Sequence, residues 1–221
     1  LFLGLQAGKY ANSNDGIALG QEALGGAVSS GNDNIAIGCF AGHKTTSGSS
    51  NIVLGKGAMS GGTVTGVNNI VLGEKAGQSI TSGTQNILLG LCAGENITDS
   101  SHSILLGKFA GCQANGLSNI AIGFCAGKNI TIGEKNILIG CNVEVASASG
   151  SCQLVIGHAS CRWIQGDSSY NVCLAGSTIK AMNSGGIFCA TKFCGDGSCL
   201  TGITASGTGA IGGLTVKDEG S

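Results

Sequence analysis

The sequence predicts an all-β fold: a repetitive β-solenoid of about ten coils, each roughly 17 residues long. Three observations predict it. An apolar unit ending in Ile or Leu followed by Gly recurs ten times, with its glycines 16, 18, 17, 18, 17, 17, 16, 17 and 17 residues apart. Inside each unit the side chains alternate with period two, as in a strand. The chain also has 41 Gly and no Pro in 221 residues, with 4% aromatic and 10% charged residues. Large side chains are too few for a thick compact core, so the composition favours something thin and repeated.

The units occupy residues 1–4, 17–20, 35–38, 52–55, 70–73, 87–90, 104–107, 120–123, 137–140 and 154–157. Each ends on a structural glycine: Gly4, Gly20, Gly38, Gly55, Gly73, Gly90, Gly107, Gly123, Gly140 and Gly157. Such a glycine can take a positive φ and turn the chain. An Asn precedes many units, at Asn34, Asn51, Asn69, Asn86, Asn119 and Asn136. An Asn there can bond local backbone or stack on the Asn of the next coil. Three residues after the glycine comes Ala, from Ala7 and Ala23 through Ala110 and Ala126, small enough for the inside of a narrow coil. A second glycine often follows that Ala, and a Ser/Thr/Gly/Asn stretch completes the unit. A helix is a poor alternative, because Gly and β-branched residues disfavour it and no 3.6-residue stripe is present.

A coil closed by two large apolar residues and one Ala encloses little core. The residue between the two apolar positions is often apolar as well, as at Val53, Val71, Leu88, Leu105, Leu138 and Val155. Both strand faces therefore read as buried: one closes the coil and the other calls for a partner.

Composition excludes several classes. Net charge is −1 and no basic stripe exists, so a nucleic-acid partner is not expected. Collagen is excluded by the absent Pro and the missing three-residue Gly period. Mean hydropathy is +0.31, against simple disorder. No stretch of 18 apolar residues occurs, so no membrane insertion is expected of this segment. The chain opens on Leu1 with no signal-peptide layout, which suggests an interior piece of a longer protein.

The units NIAIGCFAG (residues 34–42), NIVLGEKAG (69–77), NILLGLCAG (86–94) and NIAIGFCAG (119–127) resemble the head repeats of trimeric autotransporter adhesins. They are more similar still to related repeats in phage tail fibres and large-virus fibre proteins. The resemblance covers residues 1 to about 160. It implies an intertwined homotrimer, so that two identical chains are the partners. It also implies a structural fibre at a virion surface or outside the cell, used in attachment to a host glycan or protein. A bacterial trimeric surface adhesin is the alternative. A polysaccharide-cleaving tailspike and a monomeric ice-binding solenoid rank lower, since aromatics and paired carboxylates are scarce and Thr does not recur in register. FCGDGSCLTGITA (193–205) resembles a connector between fibre modules, and LTVKDEGS (214–221) the opening of the next. The expected organisation is a repeat shaft over 1–157, a cap or transition over 158–192 and a connector over 193–221.

Eleven cysteines are the oddest feature. Cys92 and Cys125 share one register, two residues after the repeat glycine, with Phe40 and Phe109. Buried filler is the favoured reading, followed by disulfides. Cys189, Cys194 and Cys199, evenly spaced by five, are the candidate disulfide cysteines. No CxxC pair exists and His43, His102 and His158 do not cluster, so no metal site is expected. GTGAIGG (207–213) matches a dinucleotide-binding string without its βαβ context, so no cofactor is expected. Asn96 and Asn129 head glycosylation sequons. No carboxylate pair supports acid–base chemistry, and the chain is not expected to be an enzyme.

Overall fold

A computed structural model describes residues 1–12, 16–169 and 171–174, all within one compact unit, Leu1–Ser177. The expected connector over 193–221 and the candidate disulfide residues Cys189, Cys194 and Cys199 lie outside the described residues.

The described chain is all-β and contains no helix. Nine short strands come first: β1 (Phe2–Leu3), β2 (Ile17–Leu19), β3 (Ile35–Ile37), β4 (Ile52–Leu54), β5 (Ile70–Leu72), β6 (Ile87–Leu89), β7 (Ile104–Leu106), β8 (Ile120–Ile122) and β9 (Ile137–Ile139). The tenth, β10 (Leu154–His158), is longer. Each pairs in parallel with the strand one coil on, so the ten strands mark nine turns of a β-solenoid. At about 4.8 Å per turn the stack is roughly 43 Å long. Register is strict: Ile35 lies on Ile52, Ile52 on Ile70, and Val53 on Val71.

Three ladders of side chains fill the interior. The first is the middle residue of each strand: Ala18, Ala36, Val53, Val71, Leu88, Leu105, Ala121, Leu138 and Val155, all at most 2% exposed. The second is the Ala three residues past the glycine, with Val143 taking that place in the ninth coil. The third lies in the stretch that reads as polar: Val64, Ile80, Ile97, Ala114 and Ile130. Sizes compensate across the lumen in the seventh and eighth coils, while the sixth holds both Leu88 and Ile97. Leu105 shares its coil with Ala114, whereas Ala121 shares the next with Ile130. Such matching keeps a narrow interior at close-packed density. The two large apolar residues expected to close each coil instead face out, and the inward residue is the middle one of each triplet, because closure of the coil commits that position to the lumen.

The repeat glycines are held by two constraints. At nine of them φ lies between 125° and 137° and at Gly157 it is 147°, a region closed to L side chains. A Cβ on Gly38 would also stand 2.7 Å from the carbonyl oxygen of Gly55 on the next coil. Turns follow directly: the Ala41 N–H donates to the Gly38 carbonyl (3.2 Å) and the Thr45 N–H to the Gly42 carbonyl (3.0 Å).

The last strands depart from the pattern. Gly157 lies inside β10, at a bulge, instead of closing its strand. The chain then reverses into β11 (Cys161–Gly166), which pairs antiparallel with β10, and into β12 (Val172–Leu174), antiparallel to β11. VCLAG (172–176), which reads like a worn last coil, therefore contributes a hairpin strand at 172–174. This hairpin covers the edge of β10 that a tenth turn would otherwise occupy.

Candidate functional site

The outer strand face is the first feature a partner would meet. It is built from the residues on either side of each middle position. From β2 to β9 these are Ile or Leu without exception: Ile17 and Leu19, Ile35 and Ile37, Ile52 and Leu54, and so on to Ile137 and Ile139. None is fully buried, and Ile37, Ile52, Ile70, Ile137 and Ile139 are 37–38% exposed. The alternation of a strand makes this unavoidable once the middle residue is committed to the lumen. The face bears no charged side chain.

Beside it runs the corner that follows each strand. The residue two past the repeat glycine is left-handed in each of the nine coils, at φ between +52° and +64°. Gln6, Glu22, Phe40, Lys75, Cys92, Phe109, Cys125 and Asn142 all hold this conformation, and Gly57 does so in the fourth coil. The residue before the Asn column is also left-handed, from Asp33 and Ser50 to Lys135 and Cys152. Sequence reading noted the register of the first column at Phe40, Cys92, Phe109 and Cys125 but not its left-handed conformation, and it missed the second column. Their residues share no composition, so only the repeat register could have pointed to them.

Corner side chains meet along the rod. His43 Nε2 lies 3.0 Å from Glu22 Oε2 of the preceding coil, and its ring stands edge-on to Phe40 at 5.1 Å. One coil further on, an open cleft of about 290 Å³ is lined by Phe40, Lys56, Gly57, Ser60, Glu74, Lys75 and Gln78.

On the opposite flank of each strand a buried Asn ladder closes the coils. Asn34 Oδ1 accepts from the Asn51 N–H (3.0 Å) and from Asn51 Nδ2 (3.1 Å), and the pattern repeats at Asn51–Asn69 and Asn69–Asn86. Each Asn Nδ2 also donates to a loop carbonyl, such as that of Gly66 or Gly83. In the seventh coil Ser103 replaces Asn and is too short to reach that carbonyl. Ser100, standing where other coils carry Gly, supplies the missing hydroxyl: its Oγ bonds Ser103 Oγ (3.1 Å) and the Gly116 carbonyl (2.9 Å). The role foreseen for these asparagines is thus structural and fully buried.

The eight described cysteines are free thiols. Cys92 and Cys125 are buried, as filler would be. Burial pushes the Cys92 thiol up, helped by a hydrogen bond to Glu95. Burial likewise raises Cys112, with neighbouring Cys125 adding to it. Both shifts favour the unreactive thiol. No group of three potential metal ligands forms among the described residues. Of the two sequons, Asn96 is exposed, whereas both amide atoms of Asn129 bond the backbone of Val145 (2.9 and 3.2 Å). The only Trp, Trp163 on β11, is 68% exposed.

Fold and surface together define a β-solenoid repeat protein. Comparison with family models, curated proteins and solved structures finds no match to this chain.

Proposed function

We propose that the chain is the shaft segment of a homotrimeric structural fibre, carried on a virion or phage tail and used in attachment to a host surface. The observation that carries self-association is the unbroken outer face of Ile and Leu over eight strands. Eight strands at 4.8 Å by roughly 10 Å across give on the order of 400 Å² of apolar surface, within the range of the largest patches on soluble monomers. A stable interface takes about 800 Å² per partner, so residues beside the face must join the contact. Three chains around an axis bring the faces together. The number three, the virion and the attachment role rest on the resemblance of the repeats and of the GDGS element to fibre proteins. No catalytic step is part of this reading: stiffness comes from backbone ladders, and the partner from apolar packing.

The test is molar mass by light scattering, with and without reductant. Three chains of 21.7 kDa make a particle of about 65 kDa. That mass, surviving reductant and lost in Ile70→Lys/Ile104→Lys, is the expected result. A monomer in both conditions refutes the proposal.

A further inference from the structure

We propose that the cleft between the third and fifth coils binds a carboxylated sugar ring. This rests on the attachment part of the reading above and is independent of the trimer.

The cleft exists for a local reason. In the corner column Phe40 is followed by Gly57 and then by Lys75, so one side chain is missing from an otherwise filled row. A Cβ placed on Gly57 would meet nothing nearer than Ser60 Oγ at 3.7 Å. No other corner position of this column is glycine among the described residues. The resulting space of about 290 Å³ lies at the small end of ligand sites and suits a single ring.

Its walls carry complementary chemistry. Lys56 and Lys75 are exposed, and the one ion pair among the described residues is His43–Glu22, so neither ammonium lies within 4.0 Å of the Glu74 carboxylate. Two cations and one carboxylate give the cleft a net positive charge that attracts one anionic group. Ser60, Gln78 and Glu74 supply donors and acceptors for ring hydroxyls. Phe40 offers an apolar ring for the C–H side of a sugar and is held in a T-shaped contact with His43, itself fixed on Glu22. A neutral sugar leaves both ammoniums unused, and a polyanion meets Glu74. A ring with several hydroxyls and a single carboxylate fits all the walls.

The probe is methyl β-glucuronide, titrated by saturation-transfer NMR, with methyl glucoside and acetate as the ring-only and carboxylate-only controls. Saturable millimolar binding is expected for the glucuronide, with both controls weaker by about tenfold or more. Lys56→Gln/Lys75→Gln should weaken it at least about fivefold. Gly57→Asn places a residue that tolerates the left-handed conformation in the cleft and should abolish binding with Tm unchanged. Equal response to all three probes, retention in Gly57→Asn, or no saturation by about 20 mM glucuronide overturns the proposal. The mass of the same sample separates the two readings. A trimer that does not bind glucuronide defeats the cleft alone, and a monomer that binds defeats the fibre alone.

Discussion

Asn69→Ala isolates what the buried Asn column contributes. The Asn69 amide makes four bonds: Nδ2 donates to Asn51 Oδ1 (3.0 Å) and the Gly83 carbonyl (2.9 Å), and Oδ1 accepts from the Asn86 N–H and Asn86 Nδ2 (both 3.0 Å). Truncation does not strand every partner. Asn51 Oδ1 keeps the Asn69 N–H (2.9 Å), and Asn86 Nδ2 keeps the Ser100 carbonyl (2.7 Å). The Asn86 N–H and the Gly83 carbonyl lose the side-chain partner that joins them to the neighbouring coil, beside fully buried Asn86. A buried polar group left unsatisfied costs about 1–3 kcal/mol, so two give a loss of roughly 2–6 kcal/mol. Because each coil touches only its neighbours, the loss should be local. Urea unfolding reads the magnitude. Hydrogen exchange should show lost protection at residues 69–103, with residues 17–38 unchanged. Ser82→Ala, at an exposed loop position, is the control and should stay within about 0.5 kcal/mol. A loss below about 1 kcal/mol, or deprotection spread evenly along the rod, would refute the assignment of the column as the seam of the coils.

Further predictions concern the corners, the thiols and the seventh coil. Gly55→Ala forces a Cβ into the Gly73 carbonyl at φ +137°, whereas Gly57→Ala meets only ordinary contacts with Ser60 Oγ (3.7 Å) and Lys75 Cγ (3.9 Å) at φ +64°. The first should block folding or lower Tm sharply, and the second should cost about 1 kcal/mol; equal Tm values would contradict this. Thiol labelling at pH 8 should be fast at exposed Cys161 and Cys173 and slow at Cys92 and Cys112. A raised pKa means less thiolate, so the slow pair should gain rate only as pH climbs further, and early labelling of Cys92 would count against its burial. Ser103→Asn alone should destabilise, because the Asn side chain competes with Ser100 for the Gly116 carbonyl. Ser100→Gly/Ser103→Asn should recover wild-type stability or better, and additive effects in the double-mutant cycle would deny the coupling.

Much of the fold is legible in the primary structure, because a solenoid writes its period into the chain. Gly38, Gly55 and Gly73 mark successive turns, since no other residue tolerates both their φ and the approach of the next coil. Asn51 and Asn69 mark the seam. Val71 between Ile70 and Leu72 shows that the strand has two apolar faces. The sequence by itself determined the strand positions, the coil length and the need for small residues inside. It did not say which strand face is the lumen, because period-two alternation is symmetric between the two faces. Closure of the coil decided that, by placing Val71 inside and leaving Ile70 37% exposed. Nor did it show that Ile80, Ile97 and Ile130 form a third core ladder, because they sit singly among polar loop residues and converge only when coils stack. The left-handed corners at Phe40, Lys75 and Cys125 were equally hidden: their conformation is imposed by the turn and not by their own preference. The cleft at Gly57 was decided the same way, since a missing side chain makes a site only when its neighbours are seventeen or eighteen residues away in the chain and adjacent in space.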